Sequence, residues 1–299
     1  LVTSRVTNMD EMFYFNQKLT SLDLSSFDTS QVVIMMSMFN GCSSLEYIKL
    51  DNFDTSRVTN MARMFSDCKK LKSVDTSNFK TDSVDRMDSM FEKCSSLTSL
   101  DLSKFDTSHV TDMSRLFDHN MKLTNLNIDS FITSKVTDMY HMFHNCILLK
   151  SIDVSRFDTE NVDDMSYMFC SCNAIKQLDL SKFNTRNVND MSNMFDSCLF
   201  LTSLNLDSFN TGDVQHMSYM FQNCRQLTSL NLKSFNTEYV KDFTGMFSGC
   251  DNLISLDISS FRTPQLTSME KMFWQCPSLA SIDISNFETH KVTNINGAF

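Results

Sequence analysis

A 26-residue period, running through all 299 residues without insertion or deletion, limits what this chain can fold into. The unit is clearest from Met194 to Thr211, which reads MFxxCxxLxxLxLxxFxT. Its first phenylalanine returns at Phe13, Phe39, Phe65, Phe91, Phe117, Phe143, Phe169, Phe195, Phe221, Phe247, Phe273 and Phe299. Its threonine returns in all twelve places from Thr3 to Thr289. A fixed period of this length marks one supersecondary unit stacked many times, each touching its neighbours. This overrides the two-domain expectation that length alone would give. The expectation is a single repeat domain over residues 1–299, with about eleven coils. Both ends fall in mid-repeat, which reads as a fragment of a longer chain.

Each unit offers two segments. In Leu97 to Ser103 the apolar Leu100 and Leu102 alternate with Ser99, Asp101 and Ser103, the period-two pattern of a half-buried strand. Every coil repeats it, which predicts a parallel sheet with one strand per coil. In Val162 to Phe169 the apolar Val162, Met165, Met168 and Phe169 are spaced three, three and one apart. That spacing predicts one or two turns of α- or 3₁₀-helix, and Phe157 closes the corner between the segments. The predicted inward set of this coil is Val162, Met165, Met168, Phe169, Cys172, Ile175, Leu178, Leu180 and Phe183. The fold class expected is therefore an α/β solenoid, with one parallel strand and one short helical segment per coil.

Nine of the ten cysteines fall in one column, from Cys42 to Cys276, which also holds Asn16 and Asn120. A position that accepts Asn is not half of an obligate disulfide. Stacked neighbours at about 4.8 Å also stand farther apart than disulfide Cβ atoms, about 3.8 Å. These read as reduced, buried thiols. Asn in the column would satisfy backbone groups between coils with both its donor and its acceptor. The two methionine columns invite copper(I), but Leu116 and Phe243 interrupt them and ligate nothing, so they read as core filler.

Here the residues carry a resemblance. The pattern MFxxCxxLxxLDLSxFDTSxVTxM resembles the BspA-like leucine-rich-repeat surface proteins, in the mycoplasma-lipoprotein type of that repeat. It departs from the treponemal form, which is shorter and has Pro after the strand. The resemblance implies a right-handed superhelix, a secreted or cell-surface location, and adhesion through a host or neighbouring-cell protein or a glycan.

The formal net charge of −10 argues against nucleic acid as a partner. No apolar run is long enough to span a bilayer. No catalytic, cofactor or metal motif is present, so the reading is non-enzymatic. Candidate binding residues lie on the exposed strand face, at Asp101, Asp153, Asp179, Asp257 and Asp283, flanked by serines. Others are the aromatic tips Tyr140, Tyr167, Tyr219 and Trp274, beside the most variable columns. The corner carrying Asp118, His144, Cys170 and Asp196 in successive coils makes Cys170, beside His144, a candidate for an exposed, reactive thiol or a weak metal site. Either the sheet face or the variable ridge could bind. Two alternatives stand beside recognition. One is a structural shaft presenting another domain. The other is ice or mineral binding by threonine columns such as those of Thr107 and Thr111, which needs those hydroxyls exposed on a flat face. Open strand edges at the ends of such an array would favour end-to-end self-association.

Overall fold

The fold is described from a computed structural model, over residues 2–299. Cα packing divides it into two units, one of residues 1–136 with 141–152 and one of residues 137–140 with 153–299. The same coil is repeated within each.

The predicted inward set is buried in full. Val162, Met165, Met168, Phe169, Cys172, Ile175 and Leu180 are 0% exposed, Phe183 2% and Leu178 5%. Within the first unit, Phe39, Phe65, Phe91, Phe117 and Phe143 stack ring on ring at 5.3–6.3 Å. The second phenylalanine column does the same, with Phe79 on Phe105 at 6.3 Å and Phe157 on Phe183 at 6.5 Å. The methionines fill the gaps beside these rings, so a soft-metal role for them is unnecessary.

The strands are thinner than the alternation predicts. They are β1 Ser21–Asp23, β2 Tyr47–Lys49, β3 Ser99–Asp101, β4 Asn125–Asn127, β5 Gln177–Leu178, β6 Ser203–Leu204, β7 Ser229–Asn231 and β8 Ser255–Asp257. They pair in parallel as β1–β2, β3–β4, β5–β6 and β7–β8, in register with Leu22 opposite Ile48 and Leu100 opposite Leu126. The expected continuous sheet is thus four short ladders. At residues 73–75 the following inward position is Thr76, whose hydroxyl donates to the Asp101 carbonyl at 3.0 Å. Nothing in the structure explains the missing strands at 151–153 and 281–283.

The helical segment is corrected outright: among the described residues there is no helix. The methionine-phenylalanine segment instead carries the most regular coil-to-coil ladder. The amides of Met35, Ser37, Phe39 and Gly41 donate to the carbonyls of Asn60, Ala62, Met64 and Ser66 at 2.8–3.0 Å. The amides between them fold back by three residues, as Met38 does to Met35 and Asn40 to Ser37. An α-helix would send each amide four residues back within its own segment, and a 3₁₀-helix each amide three back. Here every second amide serves the next coil. The backbone achieves this by turning left-handed twice per coil, for example at Arg63 (φ 56°) and Asp67 (φ 61°). The apolar spacing of three, three and one comes from this chain of tight turns, so the α part of the expected fold class does not hold.

The invariant threonine is a double bridge. Thr55 Oγ1 donates to the Lys80 carbonyl at 2.9 Å and accepts the Lys80 amide at 2.7 Å. The same exchange links Thr29 to Asp54, Thr81 to Asp106 and Thr185 to Asn210. The cysteine column supplies a third link. Cys68 Sγ donates to the Phe39 carbonyl at 3.2 Å and Cys94 Sγ to that of Phe65 at 3.1 Å. All ten cysteines are free thiols, as expected. Burial pushes the thiols of Cys94, Cys146, Cys198 and Cys250 far above their ordinary range. Asn120 departs from expectation. Its Nδ2 donates to Phe91 and Phe117, while its buried Oδ1 has no partner. The column requires only a donor, which is why Cys suits it.

Candidate functional site

The strand-face aspartates are exposed, as predicted, but their chemistry is local. Asp101 Oδ1 accepts the Ser103 amide at 3.0 Å. Asp153, Asp179, Asp257 and Asp283 accept the amides of Ser155, Ser181, Ser259 and Ser285 at 2.9–3.1 Å. These are Asx turns, in which the side chain caps the turn leaving the strand. The amide and hydroxyl of the serine two residues on hold each of these carboxyls below its ordinary range. The device recurs twice more in the coil. Asp54 and Asp106 accept the amides of Ser56 and Ser108, and Asp112 and Asp190 those of Ser114 and Ser192. Much of the acidic composition therefore shapes the turns. On this face of the first unit, a shallow depression lies between β3 and β4, lined by Ser99, Asp101, Asn125 and Asn127.

The variable column that holds Arg63, Arg115, His141, Tyr167 and Tyr219 is one of the two left-handed columns, each with φ near +57°. Tyr140 and Tyr167 meet edge to face, ring centroids 6.1 Å apart. The edge of the Tyr219 ring lies against Gly245, where a Cβ would collide with it. All three tyrosines are half-buried rather than free tips, and Trp274 is 42% exposed. Sequence reading missed other solvent-facing aromatics. Tyr14 and Phe15 pack together at 4.7 Å and are 44% and 52% exposed. Both stand in the same corner segment as the named tyrosines, and a search of that segment for aromatics would have found them. Beside Tyr14 a groove runs past Asn40, Arg63 and Arg86 to Asp88. Arg86 is fixed there by Asp88, with Nη2 2.9 Å from Oδ1.

The corner column gives a different result from the one expected. Cys170 is buried, 4% exposed, because the turn folds it inward, so an exposed corner thiol is not what the fold builds. Its Sγ lies 3.9 Å from Asp196 Oδ2. Cys276, the one cysteine that is not buried, is the most accessible thiol. His144 instead meets Asp118, with Nδ1 2.9 Å from Oδ1. His119 Nδ1 reaches the same oxygen at 2.6 Å, and His141 Nδ1 stands 3.7 Å from Oδ2. Asp118 is only 3% exposed. Burial acts to raise its carboxyl, but the hydrogen bonds of His119 and His144, with the His141 imidazole close by, outweigh it and hold the group far below the usual carboxylate range. His119 was not singled out from the sequence, and His141 stood out there only as one member of a variable column, since the two occupy separate columns.

The constant Phe, Cys and Thr columns and their bonds place the chain among repeats of one type. The family model described as "Mycoplasma protein of unknown function, DUF285" matches residues 1–100, 41–146, 118–204 and 200–299. The chain belongs to this family. The mycoplasma-type repeat read from the sequence is thereby borne out. The DUF285 chain is also similar to solved bacterial leucine-rich-repeat proteins. One is a leucine rich cell surface protein from Faecalibacterium prausnitzii, at 20% identity over 97% of this chain and 83% of that one, with a TM-score of 0.42. A second, from Bacteroides ovatus, has 18% identity over 97% and 87%, also at 0.42. A third, from Eubacterium ventriosum, has 17% identity over 95% and 80%, at 0.40. No curated protein matches the sequence. Among the described residues no helix is long and apolar enough to cross a membrane.

Proposed function

We propose that this DUF285 repeat is a non-enzymatic recognition module, secreted or held at a cell surface, that binds a protein or glycan along its variable ridge. The observation that supports this reading is a division of labour. The fixed Phe, Met, Cys and Thr columns are spent on packing and on bonds between coils. The strand-face aspartates are spent on Asx turns. The residues left to vary and to face solvent lie on the left-handed corners, where Tyr140, Tyr167, Tyr219 and Trp274 stand with arginines and histidines. Half-buried tyrosines and tryptophans on a rigid backbone make strong anchors, because little conformational freedom is lost on binding. The surface location rests on the resemblance of the repeat to BspA-like proteins, and adhesion follows from the same resemblance.

The competing reading is a spacer that presents another domain, and the constancy of the columns favours it. Aligned threonines do not support ice or mineral binding: Thr107 is 0% exposed with its hydroxyl committed to the Ile132 backbone, and the column of the exposed Thr111 is interrupted by Val33, Asp85, Asp163 and Lys241. The two main readings separate when the isolated chain is passed over an array of matrix proteins, serum proteins and glycans. Saturable retention of a defined ligand supports recognition. No retention on any surface leaves the spacer.

A further inference from the structure

The geometry around Asp118 points to a site for a borderline divalent transition cation of the zinc type, held by Asp118, His119 and His144. One donor atom from each of the three lies within 4.8 Å of the other two. Around a shared tetrahedral ion, with metal bonds of about 2.0–2.2 Å, such atoms stand roughly 3.4 Å apart. Small rotations of two imidazoles about a fixed carboxylate reach that spacing. One carboxylate and two neutral imidazoles suit zinc, cobalt or nickel better than calcium or magnesium, which prefer oxygen.

Asn145 provides the second observation. Its side-chain amide nitrogen lies 2.9 Å from His144 Nε2 and 3.2 Å from His119 Nε2. The same nitrogen also lies 3.5 Å from His144 Nδ1, so the amide stands across the His144 ring, and it is His119 alone that it meets at the far nitrogen. With its nitrogen toward His119, Asn145 donates to Nε2 and leaves the Nδ1 proton for Asp118. With its oxygen toward that ring, a half-turn that keeps the same shape, it accepts the His119 Nε2 proton. The His119 Nδ1 lone pair then points at the carboxylate. A lone pair and a carboxylate repel unless a cation stands between them. A carboxamide or carbonyl accepting the outer N–H is how metal-bound histidines are usually oriented.

Asp118 and His119 come from one coil, and His144 and Asn145 from the next. The ion would thus join two coils side chain to side chain. His141 stands against the second carboxylate oxygen, 3.7 Å away, with its ring 4.3 Å from that of His144. His119, whose side chain is 36% exposed, gives the ion a path from solvent.

The test uses the whole chain, stripped with EDTA and titrated with Zn²⁺ while the histidines are followed by ¹⁵N NMR. One equivalent should convert His119 and His144 from the Nδ1–H to the Nε2–H tautomer, with His109, His216 and His290 unchanged. The melting temperature should rise in the same titration. By calorimetry, His144→Ala should weaken Zn²⁺ binding at least a hundredfold, and His109→Ala should leave it as in the native chain. Absence of stoichiometric Zn²⁺ binding to the stripped native chain would overturn the site and leave an Asp–His hydrogen-bond network. So would tautomer changes confined to other histidines. The NMR readout stands even if His144→Ala folds poorly.

Discussion

Thr107 and Ile132 exchange two hydrogen bonds through one hydroxyl. Oγ1 donates to the Ile132 carbonyl at 2.8 Å and accepts its amide at 2.7 Å. Thr107 is fully buried, so no water can replace either bond. Valine keeps the shape and removes both. A buried unpaired donor or acceptor costs about 1–3 kcal/mol, so Thr107→Val should lose about 2–4 kcal/mol in urea unfolding. The Ile132 amide should also exchange faster with deuterium. Thr107→Ser keeps the hydroxyl and should lose far less.

Asn120 predicts the opposite sign. Its Oδ1 is buried without a partner, while its Nδ2 makes the bond that the cysteines make elsewhere in the column. Asn120→Cys keeps a donor toward the Phe91 carbonyl and removes the orphan oxygen. The variant should gain about 1–2 kcal/mol, read as a higher urea midpoint with an unchanged slope.

Thiol accessibility follows burial. Brief iodoacetamide treatment of the native chain, read by peptide mass spectrometry, should mark Cys276 first. Cys170 should stay unmodified alongside Cys94, Cys146 and Cys198. Modification of Cys170 ahead of Cys276 would contradict the inward turn at that corner.

Asp164 provides a pH-dependent test. Burial pushes its carboxyl above the ordinary value, against the hydroxyl and amide of Ser166. The folded state therefore holds that proton more tightly than the unfolded state does. Stability falls as pH rises through the raised value, and the penalty persists at neutral pH. Asn60 already fills the equivalent turn, accepting the Ala62 amide at 2.9 Å. Asp164→Asn should thus raise the melting temperature at pH 7, with the gain disappearing below the ordinary carboxylate range.

Much of the coil was legible in the sequence, because packing selects side chains. The columns of Phe169, Met165 and Cys172 announce the core by type and spacing. The helix expected over Val162 to Phe169 was not legible as anything else. The turns that replace it are left-handed at residues such as Arg63, His141 and Tyr167, which carry no glycine-like signal. The Asx turns were written in the repeated Asp-x-Ser pairs, but a carboxylate column also fits a binding face. The Asp118 cluster depends on coil register and turn direction together. His119 and His144 lie in different columns, 25 residues apart, and only the folded corner brings both to one oxygen.

The claim that the repeat is scaffold and the ridge is recognition is tested most directly by comparing two variants against a ligand retained by the native chain. The first replaces Tyr140, Tyr167, Tyr219 and Trp274 with Ser. The second replaces Asp101, Asp153, Asp179, Asp257 and Asp283 with Asn, which preserves the Asx turns. Surface plasmon resonance should show at least a hundredfold weaker binding for the ridge variant and native affinity for the strand-face variant. Native affinity in the ridge variant, with loss in the strand-face variant, would contradict the account.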